Sequence, residues 1–192
     1  MNNYQDFEQN SFNLITGKSG SGTTAFLIHR AVSHAKEGLS VLYMTIDQSP
    51  KTIQDRINQY AKNGYGTGNI KVRSLPPNWT YDLVGEILVN GENDADVCII
   101  DGAIPEPSGL VHFRRDFGEM VTLYNGVQVN RSAYYDNASI RTPSILNAYA
   151  DSIILMEFDH DVHAICTTYL KSKSGDKKRI KYALTDILTE IQ

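Results

Sequence analysis

Between residues 11 and 38 the sequence changes period across a run of glycines, and no other stretch narrows the choice of fold as much. "SFNLIT" (11–16) is short and apolar, with Phe12, Leu14 and Ile15, and reads as a strand. The glycine-rich "GKSGSG" follows. From Thr23 onward Leu27, Ile28, Ala31, Val32 and Ala35 recur at helical spacing, and Gly38 supplies a stop. "SVLYMTI" (40–46) is then a continuous apolar run of the kind buried on both faces of a sheet, and Asp47 stands at its end.

The alternation continues. Ser49 followed by Pro50 marks a helix start, continued by Ile53, Ile57, Tyr60 and Ala61. "NGYGTGN" (63–69) is a loop, "IKVRSL" (70–75) a short strand, and Tyr81 to Val89 a helix. "ADVCIID" (95–101) is a strand with an acid at its tip. Leu110, Phe113, Phe117 and Met120 form another helical stripe, and "VTLYNGVQV" (121–129) reads as a strand bent at Gly126. Residues 130–144 read as a polar, tyrosine-bearing loop. Strand-like runs at 151–158, 162–170 and 179–184 close the chain, the last two as a hairpin. Strand–helix alternation followed by clustered strands predicts an α/β fold: a mostly parallel central sheet flanked by helices, with antiparallel C-terminal strands. Function is then expected at the carboxyl ends of the parallel strands, where the glycine loop, Asp47 and Asp101 all fall.

At 192 residues the chain suits one domain, 1–192, with residues 1–10 as a polar extension. A net charge of −4 argues against tight nucleic-acid binding by the isolated chain, although basic residues gather at 171–181. Cys98 and Cys166 lie in apolar runs without metal spacing and read as buried free thiols. The first ten residues do not resemble a signal peptide, and no apolar run reaches the ~18 residues of a membrane span. The expectation is a soluble protein of the cytoplasm, in a bacterial or phage-infected cell, with no membrane partner.

"TGKSGSGTT" (16–24) matches the phosphate-binding pattern G-x-x-x-x-G-K-[ST] in all but one position. Gly17, Gly20 and Gly22 let backbone N–H groups of Gly17, Lys18, Ser19, Gly20, Ser21, Gly22, Thr23 and Thr24 converge on an anion, and the helix that follows adds its dipole. Thr24 holds the place of a Mg²⁺-ligating hydroxyl, with Asp101 as the second metal-organising group. The lysine that would neutralise the β- and γ-phosphates is replaced by Thr23, and that charge matters most in the transition state. Lys18 sits at the front of the loop, either as a solvated lysine or as a phosphate ligand. Asp47 either orients an attacking water or caps the next helix.

"FNLITGKSGSGTTAFLIHRAVSHAKEGLSVLYMTID" (12–47) resembles the start of the RecA/DnaB/KaiC-type P-loop ATPase core. "VCIID" resembles that group's second motif, "VQVNR" (127–131) the strand end of DnaB-like helicases, and "ADSIILM" the strand after it. "LKSKSGDKKRIKYAL" (170–184) is similar to the late hairpin of phage replicative helicases. The resemblance spans about residues 11–185. It implies a RecA-like fold, ATP or ADP with Mg²⁺, Asp47 as the catalytic acid, and Gln128 as the γ-phosphate sensor. It also implies that Lys171 and Lys173 reach a neighbouring subunit's nucleotide. Lys18 has the offset of the front lysine in the deviant loop of MinD-type ATPases. Two departures stand out: Thr23 in place of lysine, and no helicase N-terminal domain ahead of the first strand.

A single-stranded DNA contact would fall on the loop 130–144 through Arg131, Tyr134, Tyr135 and Arg141, unless these merely decorate a polar surface loop. The reading is a nucleotide-binding protein of DNA replication or recombination, inactive or weakly active as an ATPase. It would assemble with itself or with a related helicase. An active DNA helicase or recombinase core, with Thr23 an engineered replacement for lysine, and an interaction module with an empty loop are the alternatives.

Overall fold

The first half of the chain folds in strict alternation: β1 (Phe12–Gly17), α1 (Thr23–Lys36), β2 (Val41–Thr45), α2 (Pro50–Lys62), β3 (Ile70–Ser74), α3 (Tyr81–Val89) and β4 (Val97–Gly102). Then come α4 (Leu110–Phe117), β5 (Thr122–Gln128), α5 (Ser144–Tyr149) and four strands: β6 (Ser152–Asp159), β7 (Ala164–Lys171), β8 (Arg179–Leu184) and β9 (Leu188–Ile191). The structure, a computed structural model, describes residues 10–64, 66–91, 94–102, 109–128, 144–172, 179–184 and 188–191.

Among the described residues the nine strands form one sheet in the order β3-β2-β4-β5-β1-β6-β7-β8-β9. Pairing is parallel from β3 through β6 and antiparallel from β6 to β9. The protein is thus α/β, with a mostly parallel central sheet and antiparallel C-terminal strands, as the alternation predicts.

The period-2 geometry of a strand splits each apolar run between two cores. Ile15, Tyr43, Ile99, Tyr124 and Ile154 point to one face, where α1 and α2 cover them with Phe26, Leu27, Ile28, Ile53 and Ile57. Leu14, Leu42, Met44, Cys98, Ile100 and Leu123 point to the other, beneath Trp79, Tyr81, Val84, Leu110 and Phe113. Runs that read as uniformly apolar are therefore strands sandwiched between two helical layers. Both cysteines are buried free thiols.

Four local expectations are corrected. No bend interrupts β5 at Gly126, whose register with β1 and β4 runs through unbroken. The glycine is needed instead because α1 crosses close above it. A Cβ there would lie 2.5 Å from Leu27 Cδ1 and 3.2 Å from Thr23 Cγ2. Gly126→Val is accordingly expected to lower the stability measured by urea denaturation by ~1–3 kcal/mol through overpacking. The second correction is Met120, which lies beyond the end of α4 and is 61% exposed, so it is not part of that helix's apolar stripe. Third, the strand expected from 162 begins at Ala164, because residues 160–163 turn, with His163 at φ 48°. Fourth, α5 and β9 were not anticipated. Leu146 and the adjoining Ala150 seal the second core, which gives this short helix its place.

Candidate phosphate-loop site

β5 lies between β1 and β4, so the C-terminal tips of these strands stand side by side at one edge of the sheet. Gly17 pairs with Gln128, Val127 with Gly102, and Gly126 with Asp101. Thr45, at the tip of β2, pairs with Asp101 from the other side. The topology thereby gathers the glycine loop, Gln128, Asp101 and the Asp47 bend at one edge.

The loop after β1 turns sharply, with Ser21 N–H donating to the Lys18 carbonyl at 3.0 Å. Gly20 and Gly22 have φ of 81° and 89°, in the left-handed region that suits glycine. Gly22 is also the N-cap of α1. That helix start has no side-chain cap and no acid in its first turn, so no side chain of the helix start offsets its leading N–H groups or the positive end of its dipole. Lys18 and Ser19 are exposed on the loop's crest.

Thr23 is only 6% exposed. Its hydroxyl is hydrogen-bonded to Ser21 Oγ at 3.2 Å, and its methyl lies over Gly126. Thr24, one residue on, faces the acid. Its Oγ1 donates to Asp101 Oδ1 at 3.2 Å and accepts from Gln48 Nε2 at 3.3 Å. The buried Tyr43 hydroxyl donates to the other carboxylate oxygen, Oδ2, at 2.8 Å. Gln48 is held in turn by Thr45, whose hydroxyl accepts from the Gln48 N–H at 3.3 Å and donates to its carbonyl at 3.2 Å.

Burial raises the Asp101 pKa, against the opposing pull of the Tyr43 and Thr24 hydrogen bonds and the Arg56 charge; Asp47 adds to the rise. Burial, the Asp101 charge and the hydrogen bond to it likewise hold the Tyr43 phenol protonated well above its ordinary range. A carboxylate withdrawn from water in this way gains by meeting a cation. Asp47 is exposed in the bend that follows β2. It does not cap α2: Ser49 does, accepting from Thr52 N–H at 3.1 Å, with Pro50 in the first turn.

A cleft of about 530 Å³ opens between the loop and α2, with Gly22, Thr23, Thr24, Gln48, Arg56 and His160 among its walls. A second hollow of about 400 Å³ flanks the loop's other side, against Phe158 near the end of β6 and His160 in the turn after it. Of the residues expected at a site, Gly17 through Thr24, Asp47 and Asp101 come together, and the backbone of Gln128 joins them. Lys171 does not. It pairs with Ile153 at the start of β6, at the opposite edge of the sheet, and its Nζ donates to the carbonyls of Ala150 and Asn147 at the end of α5. An antiparallel strand that begins beside the loop must end at the far edge. Lys173, Arg131, Tyr134, Tyr135 and Arg141 lie outside the described residues.

Tyr43, Gln48, Arg56, Phe158 and His160 were not singled out in the sequence. Gln48 follows Asp47 directly, a signal that could have been used. The other four reach the site only through strand order and helix packing. Among the described residues no cluster of three or more His, Cys, Asp or Glu could hold a metal, and no helix is long and apolar enough to cross a membrane. The chain matches no known family profile and no curated protein.

Proposed function

We propose that the chain is a RecA/DnaB-like P-loop protein that binds ATP or ADP with Mg²⁺ at residues 17–24 and turns it over weakly or not at all. The observation that carries this reading is the Thr24–Asp101 hydrogen bond at the mouth of the glycine loop. It joins the two side chains that such a site needs for its metal, across 77 residues of sequence. The donor set fits: a hydroxyl and a buried carboxylate supply two hard oxygen ligands, and Mg²⁺ commonly takes the rest from water and phosphate. The uncapped start of α1 and the loop N–H groups suit the phosphates. Bound Mg²⁺ would neutralise phosphate charge. The chain's own part is to orient Thr24 through Gln48, to hold Asp101 through Tyr43, and to present Asp47 to solvent above them.

The resemblance to helicase cores adds a role in DNA replication or recombination, with copies of itself, a related helicase or single-stranded DNA as partners. Lys171, remote from the loop of its own chain, fits that reading only if it serves a neighbour.

Titration with a fluorescent ATP or ADP analogue tests the core of the proposal. Saturable binding that tightens with Mg²⁺ is expected, and Asp101→Asn should remove most of the Mg²⁺ dependence, weakening binding by ~10-fold or more. No binding at millimolar nucleotide would rule the function out.

A further inference from the structure

We propose that Arg56, on α2 of the same chain, supplies the positive charge toward the nucleotide phosphates that the loop lacks at Thr23. The inference rests on the nucleotide-binding reading and adds a residue to it that no sequence motif marks.

α2 is fixed in rotation by Ile53, Ile57 and Tyr60, all buried in the core beneath it. Its contact with α1 includes His29 and Tyr60, whose ring centroids are 6.2 Å apart. Arg56 stands on the flank of that buried stripe and is half-buried, in the wall of the same cleft that Gly20, Gly22, Thr23 and Thr24 line. Its charge acts on both Asp101 and Tyr43, lowering the pKa of each. Among the described residues no carboxylate forms an ion pair with it.

A half-buried arginine facing an uncapped helix start has a clear chemical complement, an anion with several oxygens. The guanidinium fork can give two parallel hydrogen bonds to phosphate, which an ammonium cannot. Thr23 brings no charge to the cleft wall; Lys18 reaches it from the exposed crest of the loop, and Arg56 stands half-buried in it on α2. A charge in this position favours bound di- and triphosphate. It approaches from the side rather than from beneath, so it need not stabilise the transferring group as the loop lysine would. Binding with poor turnover follows from that difference.

Equilibrium binding of ATP, ADP and adenosine to the full chain, to Arg56→Gln and to Arg56→Lys is the test, with thermal melting as a check on folding. Arg56→Gln should weaken ATP and ADP by ~10- to 100-fold and leave adenosine unchanged. Arg56→Lys should fall between. Adding Thr23→Lys to Arg56→Gln should restore much of the loss. If the unaltered protein binds ATP and Arg56→Gln binds it equally well, the assignment of Arg56 is wrong while the nucleotide site stands. If the unaltered protein binds no nucleotide, both fail. An equal loss for adenosine would mean that Arg56 merely shapes the cleft, which also overturns the proposal.

Discussion

Thr23→Lys is expected to raise ATP hydrolysis by roughly 10²- to 10³-fold, the range lost when one preorganised charge-stabilising group is removed from an active site. The other residues of the proposed site are in place for it: Thr24 and Asp101 are hydrogen-bonded, Asp47 is exposed in the bend after β2, and the loop leads into the uncapped start of α1. Position 23 lines the cleft, so a lysine stem has about 530 Å³ to enter. Among the described residues, the side-chain hydrogen bond it forfeits is the 3.2 Å contact with Ser21 Oγ. Phosphate release under saturating ATP and Mg²⁺ is the measurement, with Thr23→Lys combined with Asp101→Asn as the control that should abolish the gain. If Thr23→Lys binds ATP well and turns it over no faster, the missing lysine is not what limits this site. Asp47, or a group contributed by a second chain, would then be the limiting element.

The layout of the fold was readable because its signals are local. A strand, a glycine turn and a helix differ in period, and each apolar run is long enough to show it. The loop and Asp101 were readable for the same reason, since a phosphate loop is built from consecutive residues and a strand tip is marked by where the apolar run stops. Arg56 and Tyr43 were not. Tyr43 sits inside a run that reads as plain core, and only the pairing of β2 with β4 turns its hydroxyl toward Asp101. Arg56 belongs to the polar side of an amphipathic helix, where most charges are solvated, and its meaning depends on how α2 lies on α1. Gly126 shows the same limit. A glycine in a strand signals either a bend or a close approach, and only the path of α1 above it decides between them.

Acid should destabilise the protein well before its carboxylates titrate, because α1 carries one buried histidine, His29, and one largely buried, His34. His29 is 2% exposed and sits between the rings of Tyr60 and Tyr182, at 6.2 and 5.7 Å. His34 shares a 2.8 Å hydrogen bond between its Nε2 and the Tyr124 hydroxyl. Burial, reinforced by the neighbouring charge of Arg30, pushes His29 down to about 3 and His34 down to about 4. In the unfolded chain both return to the ordinary value near 6.5. Between pH 6.5 and about 4 the unfolded state therefore holds two protons that the folded state refuses, and stability must fall as pH falls. From pH 7 to pH 5 each group accounts for about 2 kcal/mol, or about 4 kcal/mol together, a large share of a typical folding free energy. Asp101 works in the opposite direction, since its raised pKa favours the folded state in acid and so offsets part of the fall. Urea midpoints at pH 7, 6 and 5 should drop steadily for the unaltered protein. For His29→Phe with His34→Gln the slope should flatten, even if the substitutions lower stability at pH 7. Equal slopes in the two proteins would show that other groups carry the acid sensitivity.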